Sequence, residues 1–295
     1  MNALKQIVVA TDLSAHAEVA VARGAVLARQ HGAELHLVHV SPQFSVKEMS
    51  ESYRPYQIRV EDQTRWVDAA RAQLHALADS VSKEFGLAVR EHALLGNASS
   101  AIDAFVRPLP ADLLVVGTHG EGFLRERLLG STAFALVQRA VCPALVVKTE
   151  NRQVYANVLV GIDLMSVGQR ALEVARRLAP HAQTVAAFAV RLPYDGVFNA
   201  LSAAAPDQIE ASRQQLVDAA QQELDAFIGA SDTARHIARI AEYGHAAHVL
   251  VSRAEATHAD LIVVGKHASS TGEARFGGVA KRIAEAADCD VLVVP

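Results

Sequence analysis

Aromatic side chains are scarce: they make up 5% of the 295 residues, with a single tryptophan. The cores of this chain must therefore be filled by small aliphatic side chains, and Ala and Val recur throughout. Two cysteines exclude the disulfide framework that staples small secreted domains. An excess of either charge is missing too, since 28 Lys and Arg face 32 Asp and Glu for a formal net charge of −4. This balance excludes a basic footprint for nucleic acid or for an anionic membrane surface. No apolar run approaches the ~20 residues that span a bilayer. Met1 to Ala10 holds one lysine before a short apolar run and shows no cleavage-site pattern, so a secretory leader is not expected. These absences predict a soluble, cytoplasmic protein with neither nucleic acid nor membrane as a partner.

What is present is a repeat. Hydrophobic residues at 51% and charged residues at 20% suit a folded chain, and the length suits two domains. Ile7-Val8-Val9-Ala10 runs into Thr11-Asp12, and Val158-Leu159-Val160-Gly161-Ile162 runs into Asp163. An amphipathic helix pattern follows each, with Val19, Ala22 and Val26 on one face in the first copy and Val167, Ala171, Val174 and Leu178 in the second. Ser14 is placed to cap the first. Apolar strands follow at Leu35 to Val40 and Val185 to Val190, then long helical stretches at about Gln57 to Phe85 and Asp207 to Ile228. Ala111-Asp112-Leu113-Leu114-Val115-Val116-Gly117 and Ala259-Asp260-Leu261-Ile262-Val263-Val264-Gly265 are almost the same words. Each copy closes on Cys142-Pro143-Ala144-Leu145-Val146-Val147 or Cys289-Asp290-Val291-Leu292-Val293-Val294. The polar stretch Thr149 to Gln153 reads as the linker, dividing residues 1–149 from 154–295.

Leu87 to Leu95 before Gly96-Asn97-Ala98-Ser99-Ser100-Ala101-Ile102, and His236 to Tyr243 before Gly244-His245-Ala246-Ala247-His248-Val249-Leu250, repeat as well, so each copy alternates five strands with four helices. Continuous apolar strands between helices imply a parallel sheet covered on both faces, a doubly wound α/β sandwich. Such sheets bind ligands beyond the carboxyl ends of their strands, where the strand order reverses. In the first copy that place holds Asp12, then Gly117-Thr118-His119-Gly120, then Gly130-Ser131-Thr132 at the start of a helix pattern. Glycines allow the backbone to turn and to approach a ligand without a Cβ in the way. The helix start offers free N–H groups, the positive end of the dipole and two hydroxyls, which together make an anion site. Asp12 can accept from a ribose hydroxyl, and the backbone after the second strand can read a base edge. No G-x-x-x-x-G-K-[ST] string exists: Gly265-Lys266 is followed by His267, with no upstream glycine.

The spacing G-x2-G-x9-G-[ST], carried by Gly117, Gly120, Gly130 and Ser131, resembles the ATP-binding signature of the universal stress protein family. Val9 to Ser14, His39-Val40 and Cys142 to Val147 are similar to that family too, and the likeness covers essentially the whole chain as two tandem copies, as in UspE-type members. The resemblance implies a five-stranded sheet of order 3-2-1-4-5 with the adenine-nucleotide-hydrolase-like fold. It implies ATP, with or without magnesium, in the first copy: Asp12 at the ribose, the Val40 backbone at adenine, and Val116, Gly117, Gly120, Gly130, Ser131 and Thr132 along ribose and phosphates. His119 lies in the same loop, within reach of a phosphate. It further implies a role in stress survival through binding, with little or no hydrolysis.

The second copy keeps Asp163, Val190 and Gly265, but Ala268 replaces the second glycine and Gly278 is followed by Val279. It is expected to bind ATP poorly or to bind something else; Ser269, Ser270 or Thr271 are alternative phosphate contacts. Asp163 reads better as a helix cap. Arg125 and Arg127 stand between a γ-phosphate contact and plain solvation. His245 and His248 share a helical face, with no third metal ligand identifiable, while His36 and His39 alternate across a strand. Ser41 to Tyr56 and Arg191 to Pro206 lack a clean period and read as covers. The apolar final strands, at a sheet edge if the family order holds, are expected to pair as an intramolecular pseudo-dimer, with a homodimer of the whole chain left open.

Overall fold

Strands made of Val, Leu and Ile alone have no solvent face, and each such run in this chain becomes a parallel strand buried on both sides. In a computed structural model, residues 3–43, 60–118, 129–192, 206–229, 236–268 and 274–295 are described. The chain divides into two compact units, Met1–Val154 and Tyr155–Pro295. Among the described residues no helix is long and apolar enough to cross a membrane.

The first unit contains β1 (Gln6–Ala10), α1 (Ala15–His31), β2 (Glu34–Ser41), α2 (Val60–Phe85), β3 (Val89–Leu95), α3 (Ala98–Val106), β4 (Leu113–Gly117), α4 (Ser131–Arg139) and β5 (Ala144–Val147). Its strands are parallel in the order β3-β2-β1-β4-β5, so the order reverses between β1 and β4. Ile7, Val9, Leu35, Leu37, Val115 and Leu145 are fully buried.

The second unit contains β6 (Asn157–Ile162), α5 (Ser166–Leu178), β7 (Gln183–Val190), α6 (Pro206–Ile228), β8 (Ile237–Tyr243), α7 (Ala246–Ala256) and β9 (Leu261–Gly265). A two-residue antiparallel pair, β10 (His267–Ala268) and β11 (Ala274–Arg275), precedes α8 (Gly278–Ala286) and β12 (Asp290–Val294). The parallel order is β8-β7-β6-β9-β12. Both units have the α/β fold and the strand order that the resemblance implied.

The repeated Ala-Asp words act at the amino ends of the strands, away from the cleft. The Asp112 carboxylate accepts from Lys5 N (2.7 Å) and Gln6 N (3.0 Å), and Asp260 accepts from Ala156 N (2.7 Å) and Asn157 N (3.2 Å). Each aspartate ties the start of one central strand to the start of the other. Helix α1 packs closely on the central strand β1. A Cβ at Gly24 would overlap Val9 Cγ2, so glycine in mid-helix permits the close approach of α1 to β1, worth more here than its poor helix propensity costs.

Candidate functional site

A cavity of about 480 Å³ opens at the carboxyl ends of β1, β2 and β4, where the strand order reverses. Of the nine residues expected there, the structure brings seven together on its wall: Asp12, Val40, Val116, Gly117, Gly130, Ser131 and Thr132. His119 and Gly120 lie outside the described residues, as do Arg125 and Arg127. Thr118, named with its neighbouring glycines, lines the cavity too, and so do Ala98 and Ile102 of α3, Pro42 and Leu136, which were not among the expected site residues. The repeated Gly96-to-Ile102 run was a usable signal, because Gly96, at φ 125°, turns the chain from β3 back over the cleft.

Local chemistry fixes the aspartate. Ser14 caps α1, its Oγ accepting from Ala17 N (3.3 Å), while Ser14 Oγ and N donate to Asp12 Oδ1 at 2.6 and 3.1 Å. Capping thus falls to Ser14, and the exposed Asp12 stays on the cavity wall. Between them Leu13 has φ 66°, a left-handed conformation that costs a branched residue roughly 1 kcal/mol. Thr11 Oγ1, accepting from Leu13 N at 3.1 Å, helps to hold it. From β2, His39 Nδ1 donates to the Thr11 carbonyl at 3.0 Å.

The start of α4 forms the opposite wall. Gly130 stands at the N-cap with φ −57° and no side-chain cap bond, and its N donates to Thr118 O at 2.8 Å. Neither Gly117 nor Gly130 adopts a positive φ, so glycine here supplies the missing Cβ rather than a left-handed turn. Uncapped amides at a helix start, lined by the hydroxyls of Ser131 and Thr132, suit an anion.

The second unit uses the corresponding residues differently. Met165 stands where Ser14 does, and Asp163 takes over the capping, Oδ1 accepting from Met165 N and Gly168 N at 3.0 Å each. A Cβ at Gly168 would lie 2.7 Å from that oxygen, whereas the matching residue of the first unit is Ala17. Over the strand-end Gly265 lies Val167, whose Cγ1 a Cβ on that glycine would overlap. In the second unit the Val167 side chain therefore covers the strand-end glycine, whereas Gly117 lines the cavity of the first.

Two correspondences shift by one residue. The N-cap of α8 is Gly277, so Gly278 matches Ser131 and Val279 matches Thr132, and both hydroxyls are lost. Strand register sets Gln6 against Glu34 and Asn157 against Gln183, which puts Ala189, not Val190, in the place of Val40. Ser269, Ser270 and Thr271 lie outside the described residues, and so does most of both expected covers. His245 is the N-cap residue of α7 and meets Arg191 Nη1 at 2.6 Å.

Beneath α3 lies a histidine pair that pattern alone did not reveal. His36 Nε2 donates to Gln6 Oε1 (2.5 Å), Gln6 Nε2 donates to Glu34 Oε2 (3.0 Å), and His36 Nδ1 lies 3.0 Å from His92 Nε2. Phe105 packs on the His92 ring at 4.5 Å between centroids. Burial holds both imidazoles below the ordinary histidine value of 6.5; for His92 the neighbouring His36 adds to the effect. Arg90 on Glu34 closes the cluster.

A doubly wound parallel sheet with a cleft at its switch point defines a class of α/β binding folds. The universal stress protein family matches residues 3–148 and again 155–295. A universal stress protein of Mycolicibacterium smegmatis is 29% identical over 298 residues, covering 98% of this chain and 96% of that one. Universal stress protein A homolog 1 of Coxiella burnetii is 33% identical over 143 residues, 48% of this chain and 95% of its own. The crystal structure of a universal stress protein from Archaeoglobus fulgidus superimposes with a TM-score of 0.67 at 14% identity, covering 98% of this chain and 95% of that one. The chain belongs to the universal stress protein family, with two family domains in tandem.

Proposed function

We propose that the first unit binds an adenine nucleotide, ATP, and serves as a regulatory module of the stress response with little or no hydrolysis. One observation carries this reading: residues from four separate stretches, at 12, 40, 116–117 and 130–132, converge on one cavity of about 480 Å³. That volume lies within the range of small-molecule and cofactor sites. The amides of Ser131 and Thr132 would hold the phosphates, Asp12 the ribose and the Val40 backbone the base, with Gly117 admitting the ligand close to the strand end. Magnesium, where it accompanies ATP, is held mainly by phosphate oxygens and water. The second unit, with Val167 over Gly265 and Asp163 engaged in capping, binds ATP poorly or not at all.

Binding rather than turnover is favoured by the wall itself. Among its described residues Asp12 and His39 are the titratable ones, and no pair of carboxylates stands ready for metal-assisted hydrolysis. A slow ATPase is the second reading, separated by phosphate release; a scaffold or small-molecule carrier using the second unit is the third, separated by the mass of a copurified ligand. From the sequence symmetry we extend the proposal to a cytoplasmic protein whose apolar final strands associate as a pseudo-dimer, which separate halves in solution scattering would overturn.

Native mass spectrometry of freshly purified protein tests the site. A Gly130→Ala, Ser131→Val double variant loses the bound adenine nucleotide. Because φ at Gly130 suits alanine, the change tests the cradle rather than the backbone. Unchanged occupancy would move the site elsewhere.

A further inference from the structure

We propose that His39 selects the base in the first unit's cleft: its Nε2 accepts from the 6-amino group of a purine, so that 6-aminopurine nucleotides bind in preference to 6-oxopurine ones. The inference rests on the nucleotide reading above and starts from one contact. His39 Nδ1 lies 3.0 Å from the carbonyl oxygen of Thr11. A carbonyl only accepts, so Nδ1 carries the proton, and in neutral imidazole the other nitrogen is then an acceptor. Among the described residues Nε2 has no hydrogen-bond partner, although His39 is half-buried and lines the cavity. The ring is anchored through Nδ1 to Thr11, and Nε2 is the nitrogen that remains for a ligand in the cavity His39 lines.

The surrounding wall gives that lone pair its weight. Ala10, Val40, Pro42 and Ile102 bring apolar side chains to the same cavity, which can hold the faces of a planar base but cannot read its edge. A placed acceptor on an apolar wall rewards an N–H and leaves a carbonyl oxygen facing another lone pair, an arrangement that rejects the wrong partner strongly. In the second unit strand register puts Phe188 where His39 stands, and its ring offers no acceptor.

The test compares ATP with ITP, binding each to the full-length protein and to His39→Phe and His39→Gln variants by titration calorimetry above the imidazole pH range, with circular dichroism to establish folding. Wild type binds ITP about tenfold or more weakly than ATP. The Phe variant brings that ratio to within about twofold of unity, and Gln, whose Oε1 can accept, restores part of it. A purely structural role for His39 would lower both affinities together and leave the ratio intact, which overturns the proposal. Full discrimination surviving in His39→Phe overturns it too, assigning selectivity to the Val40 backbone, and so does equal affinity of the wild type for both nucleotides. No binding of either nucleotide would instead overturn the nucleotide reading itself.

Discussion

The two units share a fold and strand order but differ in what stands above the central strands. In the first, Ser14 caps α1 and leaves Asp12 at an open cavity. In the second, a methionine at the capping position and a glycine at 168 pull the aspartate into the helix start, and Val167 covers the strand-end glycine. A letter shared by the two copies can thus hold a different job: the same Asp serves a ligand site in one proposal and a helix terminus in one observation. Three small differences, Ser14 against Met165, His16 against Val167 and Ala17 against Gly168, separate the two outcomes.

The sharpest way to break this contrast is to remove each aspartate in turn. Asp12→Ala lowers nucleotide affinity about 10- to 100-fold, the range for losing a hydrogen bond to a charged group. Asp163→Ala leaves affinity unchanged and destabilises its unit by about 1 kcal/mol, as loss of a helix cap does; calorimetric titration and denaturant melts read the two effects separately. An affinity loss from Asp163→Ala would erase the distinction.

The strand-end glycines give the next test. Gly265→Ala forces a methyl into Val167 and costs about 1–3 kcal/mol of stability, recovered in good part by adding Val167→Ala. Gly117→Ala, with a cavity rather than a valine above it, weakens nucleotide binding more than it lowers the melting temperature. Gly168→Ala, measured by the same melts, displaces the Asp163 cap and costs about 1 kcal/mol.

The smallest expected effect is one of pH, and it belongs to the first unit. His36 and His92 are held neutral by burial, with pKa values below the ordinary 6.5. Between those lowered values and 6.5 the unfolded chain binds more protons, so stability is fully present above about 6.5 and falls as the pH drops through that window. A His36→Gln, His92→Gln variant flattens this dependence in melts of the first unit, while the second unit, which lacks the pair, keeps its own profile.

Much of the fold was legible in the sequence, for a physical reason. Buried parallel strands admit almost nothing but Val, Leu and Ile, so Leu113 to Val116 and Leu261 to Val264 announce themselves. Helix α1 was legible from its period and from Ser14. The expected residues of the first cleft were within reach because they follow strand ends, where the topology rule points. Three things were not legible. Matching glycines letter by letter paired Gly278 with Gly130, but helix starts follow capping geometry, and the stretch from Gly265 to the N-cap Gly277 is one residue shorter than that from Gly117 to the N-cap Gly130. Strand register, not spelling, decides that Ala189 answers Val40. The contacts of Val167 with Gly265 and of His36 with His92 join segments about a hundred residues apart and 56 residues apart respectively, and single-chain periodicity carries no information on such pairs.

Hydrogen exchange of the intact chain with and without saturating ATP tests the central difference most directly. The account predicts new protection around Leu13 to Ala17 and Ser131 to Ala133, and none around Leu164 to Gly168 or Gly278 to Ala280. Equal protection in both units, or protection confined to the second, would contradict it.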